Sequence, residues 1–235
     1  MKTVFISGND TGIGKTWVIR TLLQQLVCKG ARNVQAIKPV ETGITDAQQS
    51  DIATATAGCP ASVRGAVWHS FPLPLAPLTA AAHAGRTVSL AQLIKDWQRL
   101  PACDWRIIEG AGGLAVPIDP KGYDWADFAL AIGVDCTLLV LEDRLGAINQ
   151  ARLLDAYARA KGLRNVGFWL NEVVPQSALV HRSNREAIQK LTTPLWAVQR
   201  SGRDVPDFLP AFNSGVLGRL WDSLRTPTPS PLHTS

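Results

Sequence analysis

The sequence predicts an α/β fold, a mostly parallel sheet flanked by helices on both faces. Three observations carry this. Short apolar runs recur along the 235 residues, bounded by Gly, Pro and Asn. Between them fall stretches with apolar residues at i, i+3, i+4 and i+7, the spacing of an amphipathic helix. The first run also joins the first helical stretch through a glycine-bearing turn. Strands alternating with helices, linked by right-handed crossovers, give a parallel sheet covered on both faces.

Taken in order, Val4-Phe5-Ile6 is a buried strand, and Ile19, Leu22, Leu23 and Leu26 mark the first helix. Residues 34–37 form a second strand, which Pro39 should end and from which Gly43 should turn. Residues 48–53 hold a short helix capped by Ser50 or Asp51. A proline-rich connection at 72–77 leads to a small-residue helix near 80–85. Ser89 and Gln92 read as a capping box for a helix with Leu90, Leu93, Ile94 and Trp97 on one face. Strands follow at 105–108, 134–141, 165–171 and 195–198. Helices follow at 123–131, from Ile148 past Ala158, at 177–191 and at 213–224. Residues 226–235, with three prolines, should be a disordered tail behind a single domain of residues 1–225.

Composition narrows the class. The net charge of +5 is mild and its arginines and lysines are scattered, with no basic-aromatic stripe, so nucleic acid is not an expected partner. No apolar run approaches the roughly 20 residues of a membrane span. With a strand starting almost at residue 1, no signal peptide is expected, and the protein should be soluble and cytoplasmic. Cys28, Cys59, Cys103 and Cys136 form no Cys-x-x-Cys pair and read as small core residues in a reducing compartment. The four histidines lack metal-ligand spacing.

The chemistry gathers at strand ends. In Ser7-Gly-Asn-Asp-Thr-Gly-Ile-Gly-Lys-Thr16, backbone N–H groups and a helix N-terminus can face an anion. Lys15 adds positive charge and Thr16 a hydroxyl in the first helical turn, the chemistry of a phosphate-binding loop with a magnesium ligand. The strict pattern wants a glycine where Asn9 stands, and Gly8 lies one residue early. Lys38 ends the second strand, where open α/β sheets bind ligands, although a surface lysine is as good a reading of that stretch alone. Asp51 is a helix cap unless the fold brings it to the phosphates. Glu109, followed by Gly-Ala-Gly-Gly, is either a magnesium-associated carboxylate or a capped turn. The stretches 8–16, 38–43, 109–113 and 142–149 each follow a strand and should meet at one edge of the sheet.

Residues 8–16, Lys38-Pro-Val-Glu-Thr-Gly43, Asp51, Glu109-Gly-Ala-Gly-Gly113, Leu145-Gly-Ala-Ile-Asn149 and the Pro74-Leu-Ala-Pro77 segment together resemble dethiobiotin synthetase, a family of the phosphate-loop NTPase type. The resemblance runs from residue 1 to about 175. It implies ATP-dependent carboxylation of 7,8-diaminopelargonic acid by CO2 or bicarbonate, closure to the cyclic urea of dethiobiotin, a Mg²⁺ ion and a homodimer. It implies Lys15, Lys38 and Thr11 as catalytic groups. The nucleotide would meet Asp10, Gly12, Ile13, Gly14, Lys15, Thr16, Trp17 and Asn171, with Asn171 pairing to the purine. The diamine would meet Thr11, Lys38 and Thr42, and its carboxylate tail the partner subunit's Gly146, Ala147, Ile148 and Asn149. Thr16, Asp51 and Glu109 would hold Mg²⁺. Three departures stand out: Gly12 stands where some family members carry an acid, residues 195–200 lack a Gly-Glu-x-Pro-like pattern, and Glu142-Asp143 is an acidic prelude to a carboxylate-binding turn.

Three rivals are separable. A cobyrinic-acid-type amidase would need a glutamine-hydrolysing domain. A nucleotide-switched regulatory ATPase would need a second lysine where Asp10 stands. A paralogue inactive toward the diamine would keep the polar residues but not the turnover.

Overall fold

The computed structural model describes residues 1–203 and 205–222; the expected tail at 226–235 lies outside them. Its eight strands are β1 Lys2–Gly8, β2 Val34–Thr42, β3 Val63–Phe71, β4 Trp105–Glu109, β5 Cys136–Glu142, β6 Val166–Asn171, β7 Leu195–Gln199 and β8 Asp207–Phe208. They form one sheet in the order β3-β2-β4-β1-β5-β6-β7-β8. All pairings are parallel except β7 with β8. The helices are α1 Lys15–Cys28, α2 Asp51–Thr56, α3 Pro77–His83, α4 Leu90–Gln98, α5 Trp125–Ile132, α6 Ala147–Lys161, α7 Ala178–Ile188, α8 Pro210–Ser214 and α9 Val216–Asp222.

Strand β1 shows how the sequence builds two cores. Successive side chains of a strand point to opposite faces. Phe5 therefore packs with Trp125 and Phe128 of α5 on one face, while Val4 and Ile6 join Val18, Ile19 and Leu22 of α1 on the other. The first core also takes α3, α4 and α6; the second is closed by Phe212 and Trp221 of α8 and α9. Because β1 lies between β4 and β5, the chain first builds outward on one side and then on the other. The loop after β1 stands at that switch point, where such sheets open a crevice.

Several expectations are corrected. Pro39 does not end its strand: β2 pairs with β3 as far as Thr42↔Phe71, skipping only Pro39, whereas pairing with β4 stops at Ile37↔Ile108. The proline thus sits where the inner ladder is already finished, and β2 rises past β4. Strand β3 was not expected, since it is a half-exposed edge strand interrupted by Arg64, Gly65, His69 and Ser70 rather than an apolar run. The expected closing helix is two, broken at Gly215. Ser89 caps α4 through Gln92 N–H, but the Gln92 side chain donates to Asp96 instead of completing the box. The complete capping box is Asp124 with Asp127 at α5. Cys103 and Cys136 are core residues; Cys28, at the end of α1, is exposed.

Candidate active site

The turn from β1 to α1 is held by two glycines. A Cβ on Gly8 would lie 2.4 Å from both Ile13 Cδ1 and the Val140 carbonyl, so the early glycine is needed for close packing against β5. Gly14 has φ 85° at the N-cap of α1, and no side chain caps that helix. Its first-turn N–H groups remain for an anion. Asn9 fills the position where the strict motif has glycine. Its Oδ1 and Nδ2 are buried without a hydrogen-bond partner among the described residues.

Lys15 is 6% exposed, and its ammonium donates to the Asp10 carbonyl at 2.6 Å. Burial lowers its pKa to about 8; Glu109 opposes the shift and Lys38 adds to it. Lys38 reaches across from β2 and donates to Glu109 Oε1 at 2.9 Å and to Asp51. Burial opposes the Lys38 charge, but Glu109 and Asp51 outweigh it and raise the pKa. Burial raises Glu109 as well, against the pull of Lys38. Glu109 Oε2 has no partner among the described residues. Ser50, not Asp51, caps α2, accepting from Ala53 N–H, so the Asp51 side chain is released toward Lys38. Its backbone N–H donates to the buried Glu41 at 2.6 Å, which fixes the start of α2 against β2.

These groups line one cleft of about 330 Å³. Thr11, Gly12, Gly14, Lys15 and Thr16 come from the loop, Lys38 and Thr42 from β2, and Asp51 and Glu109 complete it. Ile13 instead points its side chain into the core, leaving its backbone to the loop. Asp10 is exposed and accepts from Thr11 N–H. Thr11 also lines a neighbouring cavity of about 580 Å³, walled by Leu114, Val116, Leu153 and Tyr157. Gln150 Oε1 is buried there without a partner among the described residues. Neither Asn9 nor Gln150 has a spacing that would announce it.

Gly146, Ala147, Ile148 and Asn149 do not enter the cleft of their own chain. Gly146 (φ 96°) begins α6 without a side-chain cap, and Leu145 beside it is 83% exposed. The acidic prelude is neutralised locally: Arg144 pairs with Glu142 at 2.8 Å, and Asp143 is turned inward to His181, Asn184 and Arg200.

A third cavity of about 270 Å³ opens on the other side of Gly14, between Trp17, Asn171, Val173 and the turn at Arg200, Ser201 and Gly202. Asn171 donates to the Ile13 carbonyl at 2.9 Å, so one amide hydrogen braces the phosphate-binding loop. Trp17 is 41% exposed under the Arg20 guanidinium. Behind this cavity, His181 lies between Asp143 (2.5 Å) and Glu172 (2.6 Å), a cluster with no signature in the sequence.

An oxygen-only set of Thr16, Asp51 and Glu109, with one carboxylate oxygen unpartnered, suits Mg²⁺, which takes one or two carboxylates and completes its shell with phosphates and water. The arrangement can neutralise a polyphosphate and stabilise charge at its end.

A family model described as an AAA domain matches residues 2–200. The ATP-dependent dethiobiotin synthetase BioD of Xylella fastidiosa (strain Temecula1) is 33% identical over 220 residues, covering 91% of this chain and 93% of that protein. The protein of the same name from Aquifex aeolicus (strain VF5) is 35% identical over 190 residues, covering 80% and 84%. Among solved structures, the signal recognition particle receptor FtsY from Elizabethkingia anophelis in complex with GDP aligns with a TM-score of 0.55 at 13% identity, covering 97% of this chain and 64% of that one. The signal recognition particle 54 kDa protein from Aeropyrum pernix K1 aligns with a TM-score of 0.53 at 15% identity, covering 95% and 48%. At such identities the likeness concerns the fold alone.

Proposed function

Because the chain belongs to the ATP-dependent dethiobiotin synthetase family, we propose that the cleft between β1, β2 and β4 performs that family's ring closure with its own residues. The enzyme is an ATP-dependent ligase forming C–N bonds in biotin biosynthesis, with ATP as substrate and Mg²⁺ as its metal. The observation that carries the assignment of roles is Lys38. It is a buried ammonium held between Asp51 and Glu109, in one cleft with Lys15 and an uncapped helix N-terminus.

One amine of 7,8-diaminopelargonic acid adds to CO2 and loses a proton, giving a carbamate. A carbamate oxygen attacks the γ-phosphorus of ATP, and ADP leaves. The second amine attacks the carbonyl of the mixed anhydride, and phosphate leaves as the cyclic urea closes. Such phosphoryl transfer is mainly positioning and charge stabilisation. Lys15 neutralises the β- and γ-phosphates, and the α1 N-terminus cradles them. Lys38 stabilises charge between the carbamate and the γ-phosphate. Thr11 stands where the phosphate cleft meets the apolar cavity, and with Thr42 it borders the diamine. Thr16, Asp51 and Glu109 would hold Mg²⁺, which supplies charge neutralisation at the phosphates. Trp17 and Asn171 border the base.

The family's carboxylate site suits a homodimer. Gly146–Asn149 lie outside their own cleft, beside the exposed Leu145, with Leu153 (64% exposed) further along α6. We assign them to the partner's diamine. Among the described residues no helix is long and apolar enough to cross a membrane, and we place the enzyme in the cytoplasm as one domain.

The test is phosphate release with ATP, Mg²⁺, bicarbonate and the diamine. Release that requires both diamine and bicarbonate is expected. Release independent of the diamine would point to a nucleotide switch, and ATP bound without release would overturn the assignment.

A further inference from the structure

A cavity of about 450 Å³ lies beside α7, lined in part by His181 of the Asp143–His181–Glu172 cluster. Arg182 and Arg185, three residues apart on α7, face it together with Arg200 from the end of β7. Of these three guanidiniums Arg200 is paired, with Asp143 at 3.3 Å, and both nearby acids are already committed. Asp143 accepts from Asn184 and from Arg200 and contacts His181; Glu172 accepts from the backbone N–H groups of Gln176 and Ser201 and contacts the other side of His181.

Arg182 and Arg185 make no ion pair among the described residues, although Glu186 stands four residues beyond Arg182 on the same helix. Arg182 is exposed and Arg185 half-buried, so both unpaired guanidiniums are open to a ligand that enters from solvent. Arg200 already pairs with Asp143, and a single carboxylate would satisfy one of the two remaining forks and leave the other. A phosphoryl group offers three acceptor oxygens and matches guanidinium geometry bidentately.

We propose that this cavity binds a small phosphoryl anion, pyrophosphate-sized or larger, as a site separate from the phosphate cleft. Arg200 belongs to both this cavity and the base cavity. Glu172 fixes Ser201 and Gln176 around it. Occupancy therefore bears on the turn that borders the nucleotide base.

The experiment titrates inorganic pyrophosphate calorimetrically into the intact Lys15→Ala protein, in which the phosphate cleft has lost its principal cation. One equivalent per chain should bind. Adding Arg182→Gln and Arg185→Gln should weaken that binding at least about tenfold, the effect of one lost charged hydrogen bond or more. Arg182→Gln/Arg185→Gln alone should retain the parent's ring-closing turnover, which shows that the double change leaves the protein folded. No binding to Lys15→Ala, or equal affinity with and without the two arginines, would overturn the site.

Discussion

Two clusters of buried charge sit at the same edge of the sheet, and they are built differently. On the β1–β2–β4 side, Lys15 has only a backbone carbonyl as hydrogen-bond partner, and Glu109 and Glu41 each keep one oxygen without a partner among the described residues. On the β5–β6–β7 side, Asp143, Glu172 and His181 share hydrogen bonds with one another, with Asn184 and Arg200, and with two backbone N–H groups. The first cluster is left incomplete in a way that a polyphosphate and Mg²⁺ would complete. The second is complete without any ligand, and it ties the ends of β5 and β6 to α7 and to the turn after β7. Under the proposed assignment, incomplete pairing falls on the reacting side and complete pairing on the frame.

The two clusters should therefore respond oppositely to substitution. The largest effect is expected at Lys15. Lys15→Ala should lower kcat by about 10²–10³-fold, the cost of removing a preorganised charge-stabilising group. It should not lower the urea midpoint, because the ammonium lost was buried and without an acidic partner in hydrogen-bond contact; a coupled phosphate-release assay and a denaturation curve read the two quantities separately. Lys38→Ala should reduce kcat far more than it weakens ATP binding. A change confined to nucleotide affinity would move Lys38 out of the transferring group's environment.

His181→Ala should reverse the pattern. Losing the imidazole between Asp143 and Glu172, which keep their other donors, should cost about 1–3 kcal/mol in folding stability, while the variant, kept below its unfolding temperature, turns over near the parent rate. Loss of turnover with full stability would break the distinction between frame and site. A smaller effect concerns pH. Burial pushes the Glu172 carboxyl upward, but the N–H groups of Gln176 and Ser201, with His181, overcome this and hold its pKa below the ordinary value. The stability it contributes is therefore present above the unfolded-state pKa and lost as pH falls through the folded one. Glu172→Gln should flatten that acid limb, which a series of melting curves from neutral to acid pH would resolve. The smallest change is expected at the rim: Asn149→Ala should raise the diamine KM and leave ATP affinity alone, and unchanged kinetics would remove it from the carboxylate site.

The legible part of the molecule was the part written in consecutive residues. The loop at 8–16, the strand-end Lys38 and Glu109-Gly110 could be placed because strand, turn and helix follow one another along the chain, and parallel topology then gathers their ends. Asp51 was ambiguous because a cap and a site carboxylate look alike until Ser50 takes the capping role. Strand β3 was hidden because an edge strand needs only one buried face and carries polar residues on the other. The Asp143–His181–Glu172 cluster was hidden for another reason: its members are ordinary single residues at 143, 172 and 181, and only the crossover through α6 and the packing of α7 bring them together. For Asn171 the family resemblance implies a purine contact, and the fold adds its hydrogen bond to the Ile13 carbonyl.

That contact limits how the enzyme could change its taste for nucleotides. A Cβ at residue 14 would lie 2.1 Å from the Asn171 amide, so loop and strand are fitted to each other as a pair. On the base contact proposed for Asn171, a lineage that replaced it to favour another base would also loosen the loop proposed to hold the phosphates. Residues 17 and 200–202, which border the same cavity without bracing that loop, are free of this penalty. Base preference in such a scaffold is evolvable at the rim and frozen at the root.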